Sequence, residues 1–272
     1  MYSSLLTMTF MRHLFYFCCI AICIFILIPF SYAQQMNVQN TYSRCSETQT
    51  QQLLDQLNLI SSQHSDTRYP TFETCIELDQ NLQLIAVSQP PPLSSGYPDY
   101  DLNLYLIDNT SEKILNHYHY PMTITSDIGQ YENLQFDIHH FSTDYATPVI
   151  GLALTYKHLG RIDKTIREIK LFKINNHQLQ LVLDKFMTNY SGSERPSMCE
   201  NNKQIEAQIL LHPLKQNSHG LADIQLTEKT ERITLDEKKC STHRIVKKQR
   251  HIMKFDGKEY RFKHLKFLDF GI

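Results

Sequence analysis

The sequence predicts a mainly β protein of antiparallel, multi-stranded sheets, a sandwich or a partial propeller-like array, with one helix near the N-terminus. Three observations carry that expectation. From Asp101 to Leu106 polar and apolar residues alternate, with Leu102, Leu104 and Leu106 on one side and Asp101, Asn103 and Tyr105 on the other. Period two marks a half-buried strand. The polar cluster Asp108–Ser111 then interrupts the pattern and a second run, Lys113–Tyr120, follows, which is the form of a hairpin. Similar runs, separated by turn formers, recur to the end of the chain.

The elements follow in order. Met1–Leu14 carries one charge, Arg12, and Leu14–Phe30 is almost wholly apolar before Ser31-Tyr32-Ala33. This is the pattern of a secretory leader, residues 1–33, cleaved after Ala33. Cys18, Cys19 and Cys23 lie inside the apolar run rather than at its end, where a lipidated cysteine would stand. Residues 34–272 form a single secreted domain. They carry 26 Lys and Arg against 28 acids, because the leader removes only Arg12.

Ser46 and Gln49 form a capping box ahead of a helix over about 46–62, with Leu53, Leu57 and Ile60 on its stripe. Phe72–Ser88 reads as one strand containing Cys75. Three consecutive prolines make Gln89–Pro98 a loop. Leu134–Ile138 and Pro148–Tyr156 are further strands, and Lys157–Lys164 is a loop. Thr165–Asn175 and Gln178–Met187 pair around Asn175-Asn176-His177. Asn189–Asn202 is a long polar loop. Gln204–His212 pairs with Leu221–Thr230, Arg232–Leu235 is a separate short strand, and Arg244–Phe255 pairs with Glu259–Phe262 around Asp256-Gly257, a type I′ signal.

Four cysteines remain after the leader: Cys45, Cys75, Cys199 and Cys240. An even number in an exported chain reads as two disulfides. Three pairings are open; Cys45–Cys75 and Cys199–Cys240 close the smaller loops. No two stand at the C-x2-4-C spacing of a zinc site.

Catalytic signatures are missing: the chain has no G-x-S-x-G, no H-E-x-x-H and no phosphate-binding glycine pattern. No cofactor is expected. His117 and His119, two apart on a strand, share a face and are the candidate metal ligands; His139 and His140 would point to opposite faces. The charge distribution is more unusual. Lys238–Lys266 holds eleven Lys or Arg against two acids, and Lys247, Lys248, Arg250 and Lys254 fall on one expected strand. Such a segment can attract an anionic partner.

The stretches YDLNLYLIDNTSEKIL, ADIQLTEKTE and MKFDGKEYRF resemble strand-turn-strand units of uncharacterised exported proteins of Gram-negative bacteria, some of them propeller-like. The resemblance implies a periplasmic or secreted location and carries no catalytic residue. Together these features lead to a non-catalytic periplasmic or envelope protein that binds a protein or an anionic envelope component, in the manner of an inhibitor or immunity protein. Nucleic acid is not an expected partner, and no membrane span is expected once the leader is removed. The rival expectation is an envelope hydrolase, metal-dependent through His117 and His119.

Overall fold

A computed structural model describes residues 42–58, 71–89, 100–124, 130–137, 141–142, 147–158, 162–194, 203–236 and 241–261. All lie in one compact unit, Thr41–Ile272. Two antiparallel sheets and one helix account for them. The first sheet is a meander of β1 (Ser43–Arg44), β2 (Phe72–Glu77), β3 (Leu82–Gln89), β4 (Tyr100–Asp108) and β5 (Lys113–Ile124). The second, also in chain order, joins β6 (Gln130–Asp137), β7 (Val149–His158), β8 (Ile162–Asn175), β9 (Gln178–Glu194), β10 (Lys203–Ser218), β11 (Leu221–Asp236), β12 (Ser241–Phe255) and β13 (Tyr260–Arg261). The mainly β expectation holds, and the two sheets face each other over a shared core.

That core is built from the alternating leucines. Leu84 and Ala86 of β3 and Leu102, Leu104 and Leu106 of β4 pack against Leu134 and Phe136 of β6, Ile150, Leu152 and Leu154 of β7, and Phe172 and Ile174 of β8. The three β4 leucines are fully buried, each contributing about 1.5–3 kcal/mol relative to exposure. With no Trp in the chain, Phe72, Tyr100 and Tyr131 close one end, the rings of Phe72 and Tyr131 stacked at 4.3 Å.

The other face of the first sheet is covered by α1 (Glu47–Gln56), whose Leu54 packs on Cys75, Ile85, Val87 and Ile107. Two covered faces explain why Leu84–Val87 of β3 is an unbroken apolar run. Ser46 caps α1 as expected: its Oγ accepts from Gln49 N at 3.2 Å, and Gln49 Oε1 accepts from Ser46 N at 2.8 Å. The helix stops earlier than the expected Ser62, because Asn58 takes a left-handed φ of 50° and closes the last turn. The Cys45–Cys75 disulfide is present and ties the start of α1 to β2.

A second core belongs to the second sheet alone. Val149, Ile169, Leu171, Phe186, Ala207, Ile209, Ile224, Leu226, Met253 and Phe255 form one cluster from β7 to β12. A flat sheet would hold β8 and β12 four inter-strand spacings apart, about 19 Å. Yet Lys173 Nζ of β8 lies 5.9 Å from the Phe255 ring of β12. The sheet is therefore rolled, without closing into a barrel. Gly151 makes room for the roll, since a Cβ there would meet Ile169 Cδ1 at 2.8 Å and Phe141 Cε2 at 3.0 Å.

Several expectations are corrected. Phe72–Ser88 is two strands, because Asp79 Oδ1 accepts from Asn81 N and Leu82 N at 2.7 and 2.9 Å and reverses the chain. Ile162–Lys164 and Asn189–Glu194, expected in loops, extend the β8–β9 ladder. Leu221–Asp236 is one strand rather than two, held by partners on both sides. The last turn is centred on Gly257-Lys258, one residue later than expected, and only Gly257, its first central residue, has a positive φ, which is the pattern of a II′ rather than a I′ turn. The I′ pattern, positive φ at both central residues, appears instead at Asn176-His177 and His219-Gly220. The leader (1–33), Cys199, Cys240, His139 and His140 lie outside the described residues.

Candidate functional site

The β10–β11–β12 ladders bring the basic residues of the C-terminal segment into register with neighbours far away in sequence. Lys229 lies opposite Lys248, and Thr227 lies opposite both Leu210 and Arg250. Directly opposite residues share a face at about 4.5–5.5 Å between Cβ atoms. Met253 and Phe255 point into the second core, so Lys248, Arg250, Ile252 and Lys254 take the outer face. There Lys229, Lys248 and Arg250 form one basic cluster beside Leu210, 57% exposed, and Ile252, 54% exposed. Lys247 has the parity of Met253 and lies on the opposite face.

Lys247, Lys248, Arg250 and Lys254 are exposed and form no ion pair among the described residues. Two other cations of the region are neutralised. Arg244 Nε lies 2.6 Å from Glu231 Oε1, and Arg261 Nε lies 2.7 Å from Asp256 Oδ2. The Arg244 hydrogen bond holds the Glu231 carboxyl below its usual range. Lys229 stands 3.9 Å from Glu231, a loose contact. Lys229 and Leu210 were not found by sequence reasoning. Their place depends on the β11–β12 register, which a separate strand at Arg232–Leu235 would have hidden.

His117 and His119 do share a face, the outer face of the first sheet. His117 Nε2 is 2.9 Å from Asn103 Oδ1, its ring stacked on Tyr105 at 4.5 Å, while His119 Nε2 is 3.3 Å from Asp101 Oδ2. Burial, and next the charge of His119, hold His117 below its ordinary range. Among the described residues no group of three or more His, Cys, Asp or Glu is placed to hold a metal ion.

Two buried polar clusters complete the inventory. Lys170, 1% exposed, points from β8 toward the seam between the sheets, forming an ion pair with Asp184 of β9 and lying 4.0 Å over the Tyr120 ring of β5. Tyr120 Oη donates to Asp184 Oδ2 at 2.8 Å, and Tyr156 Oη donates to Glu168 Oε1 at 2.9 Å. Burial first, then the neighbouring carboxylates, push both phenols well above their ordinary range. At the polar end of the second core Glu228 accepts from Thr230 Oγ1 at 3.0 Å, with His251 Nε2 3.8 Å from its other oxygen. The first cluster joins two sheets, and the second terminates an apolar cluster.

The fold and the surface thus define a two-sheet antiparallel β protein, disulfide-linked, with a basic face on which Lys248 and Arg250 form no ion pair among the described residues. Compared with protein-family models, with curated proteins and with solved structures, the chain matches none of them. Among the described residues no helix is long and apolar enough to cross a membrane.

Proposed function

We propose that the chain is an exported, non-catalytic binding protein of the periplasm or envelope, and that it meets an anionic partner through β10–β12. The observation that carries this reading is the group Lys229, Lys248 and Arg250, brought to one face by the β11–β12 register and flanked by exposed Leu210 and Ile252. Like charges directly opposite destabilise a sheet, so Lys229 opposite Lys248 adds nothing to the fold. Cations ringed by apolar side chains supply both steering and contact area to a partner. Export is supported by the Cys45–Cys75 disulfide, a bond that persists in oxidising compartments.

The test is capture from a cell-envelope extract by the full chain and by a Lys248→Glu/Arg250→Glu variant. The partner retained by the parent chain should be lost from the variant and should elute with salt. Retention of the same partner by both chains would refute the assignment of this face.

A further inference from the structure

We infer that β12 takes up an extended acidic segment of a partner polypeptide as an added antiparallel strand along Ser241–Met253. This deepens the proposed binding function and rests on it. On one side β12 is paired continuously with β11, from Ile224 opposite Met253 to Asp236 opposite Ser241. On its other side, among the described residues, only Lys254 and Phe255 are paired, with β13. Among the described residues, the thirteen residues Ser241–Met253 therefore have no strand on this side, an edge about 40 Å long. A free edge offers outward N–H and C=O groups to any extended chain.

Charge and side-chain placement select the occupant. The cations that form no ion pair among the described residues alternate across both faces of β12, Lys248 and Arg250 outside and Lys247 on the opposite face. The exposed apolar residues alternate too: Ile245 (52%) has the parity of Lys247, while Val246 (44%) and Ile252 (54%) have that of Lys248. A flat anionic surface reaches one of these rows. A strand laid along the edge reaches both, because its own side chains alternate to the two faces. A second copy of β12 would set lysines and arginine against their like, which is how edges are protected from self-pairing. The same cations that repel a copy attract Glu and Asp, so specificity comes from rejection as well as attraction.

The probe is a fluorescein-labelled, capped peptide of about twelve residues, made of Glu, Thr and Val, which spans most of the edge at ~3.4 Å per residue. Anisotropy titrations with the full chain should show saturable binding that weakens with salt and falls at least about tenfold in Lys247→Glu/Lys248→Glu/Arg250→Glu. A second peptide keeps every side chain but carries N-methyl groups on every backbone nitrogen of its central half, so that either edge it presents has lost donors. Losing several edge hydrogen bonds should weaken it at least about tenfold. Equal binding of the methylated peptide would overturn strand addition and leave the basic face standing. Binding to phosphatidylglycerol vesicles with none to the peptide would overturn it in favour of a lipid surface, and absence of binding to either probe would also overturn it. Failure of the binding function itself reads out separately, as retention of the envelope partner by the Lys248→Glu/Arg250→Glu chain.

Discussion

Removing the carboxylate of Asp184 should destabilise the protein more than removing the lysine it faces. Lys170 is buried to 1% exposure, whereas Asp184 is 41% exposed. Breaking a buried ion pair by deleting one partner costs about 3–5 kcal/mol when the survivor is left in a dry site. Lys170 is such a survivor, though the Tyr120 ring 4.0 Å away and water near the open side of Asp184 offset part of the loss. Asp184→Ala should therefore cost about 2–3 kcal/mol, and also deprives Tyr120 Oη of its acceptor at 2.8 Å. Asp184→Asn keeps that acceptor and should cost about 2 kcal/mol. Lys170→Met replaces the buried charge by an apolar chain of similar length and leaves a carboxylate that water can reach; it should cost about 1 kcal/mol or less. Urea denaturation followed by tyrosine fluorescence, free of interference because the chain has no Trp, gives all three values. A Lys170→Met variant that loses as much stability as Asp184→Ala would refute the argument from burial.

Gly151→Ala should lower stability by about 1–3 kcal/mol, because the new Cβ meets Ile169 Cδ1 at 2.8 Å and Asp137 Cβ and Phe141 Cε2 at 3.0 Å; adding Ile169→Val should restore part of the loss in a melting experiment, and no restoration would discard that contact as the cause. Cys45→Ala/Cys75→Ala opens a loop of sequence separation 30 and should cost about 3–4 kcal/mol; a loss below about 1 kcal/mol would show that α1 holds its place without the bond. His117, held below its ordinary 6.5 by burial and then by His119, stays neutral in the folded chain while the unfolded chain takes up its proton. Its contribution is therefore whole above about pH 6.5 and is lost as pH falls through the folded midpoint. Ring-proton NMR should show that midpoint rising in His119→Gln, and an unchanged midpoint would remove His119 as a cause.

Leu102, Leu104 and Leu106 revealed the facing of β4 directly, since only one side of that strand alternates to leucine. The capping box at Ser46 was equally plain, because its two hydrogen bonds are local. Local turns were read less well. Asp79 divides β2 from β3 through its side chain, and the signal was present but short: the polar cluster Asp79-Gln80-Asn81 between two apolar runs. Lys170 shows a deeper difficulty. It shares parity with Phe172 and Ile174, which enter the shared core, but Ile169 and Leu171 on the other side enter the second core. A strand with two apolar faces has no solvent side to assign, so its lysine could not be placed from the pattern. The Lys229–Lys248 pairing was hidden for a related reason: cross-strand partners follow from register, and register follows from where each strand ends.

The open edge of β12 follows from the way the second sheet buries its own face. Eight antiparallel strands with apolar residues on the concave side must either receive another layer or roll, and the contact between Lys173 and Phe255 shows the roll. Closure would have hydrogen-bonded β12 to β6 and removed the edge. The first sheet prevents this: Leu134 and Phe136 of β6 and Ile150, Leu152 and Leu154 of β7 are committed to the shared core, on the side away from the roll. One end of the sheet is thus held flat against its neighbour while the other curls, and the curled end terminates in a strand whose ladder has one side free among the described residues. A strand so exposed invites indiscriminate pairing unless its side chains discriminate. Lys247, Lys248 and Arg250 supply that discrimination on both faces at once, which is why the charge lies along this strand rather than being spread over the sheet.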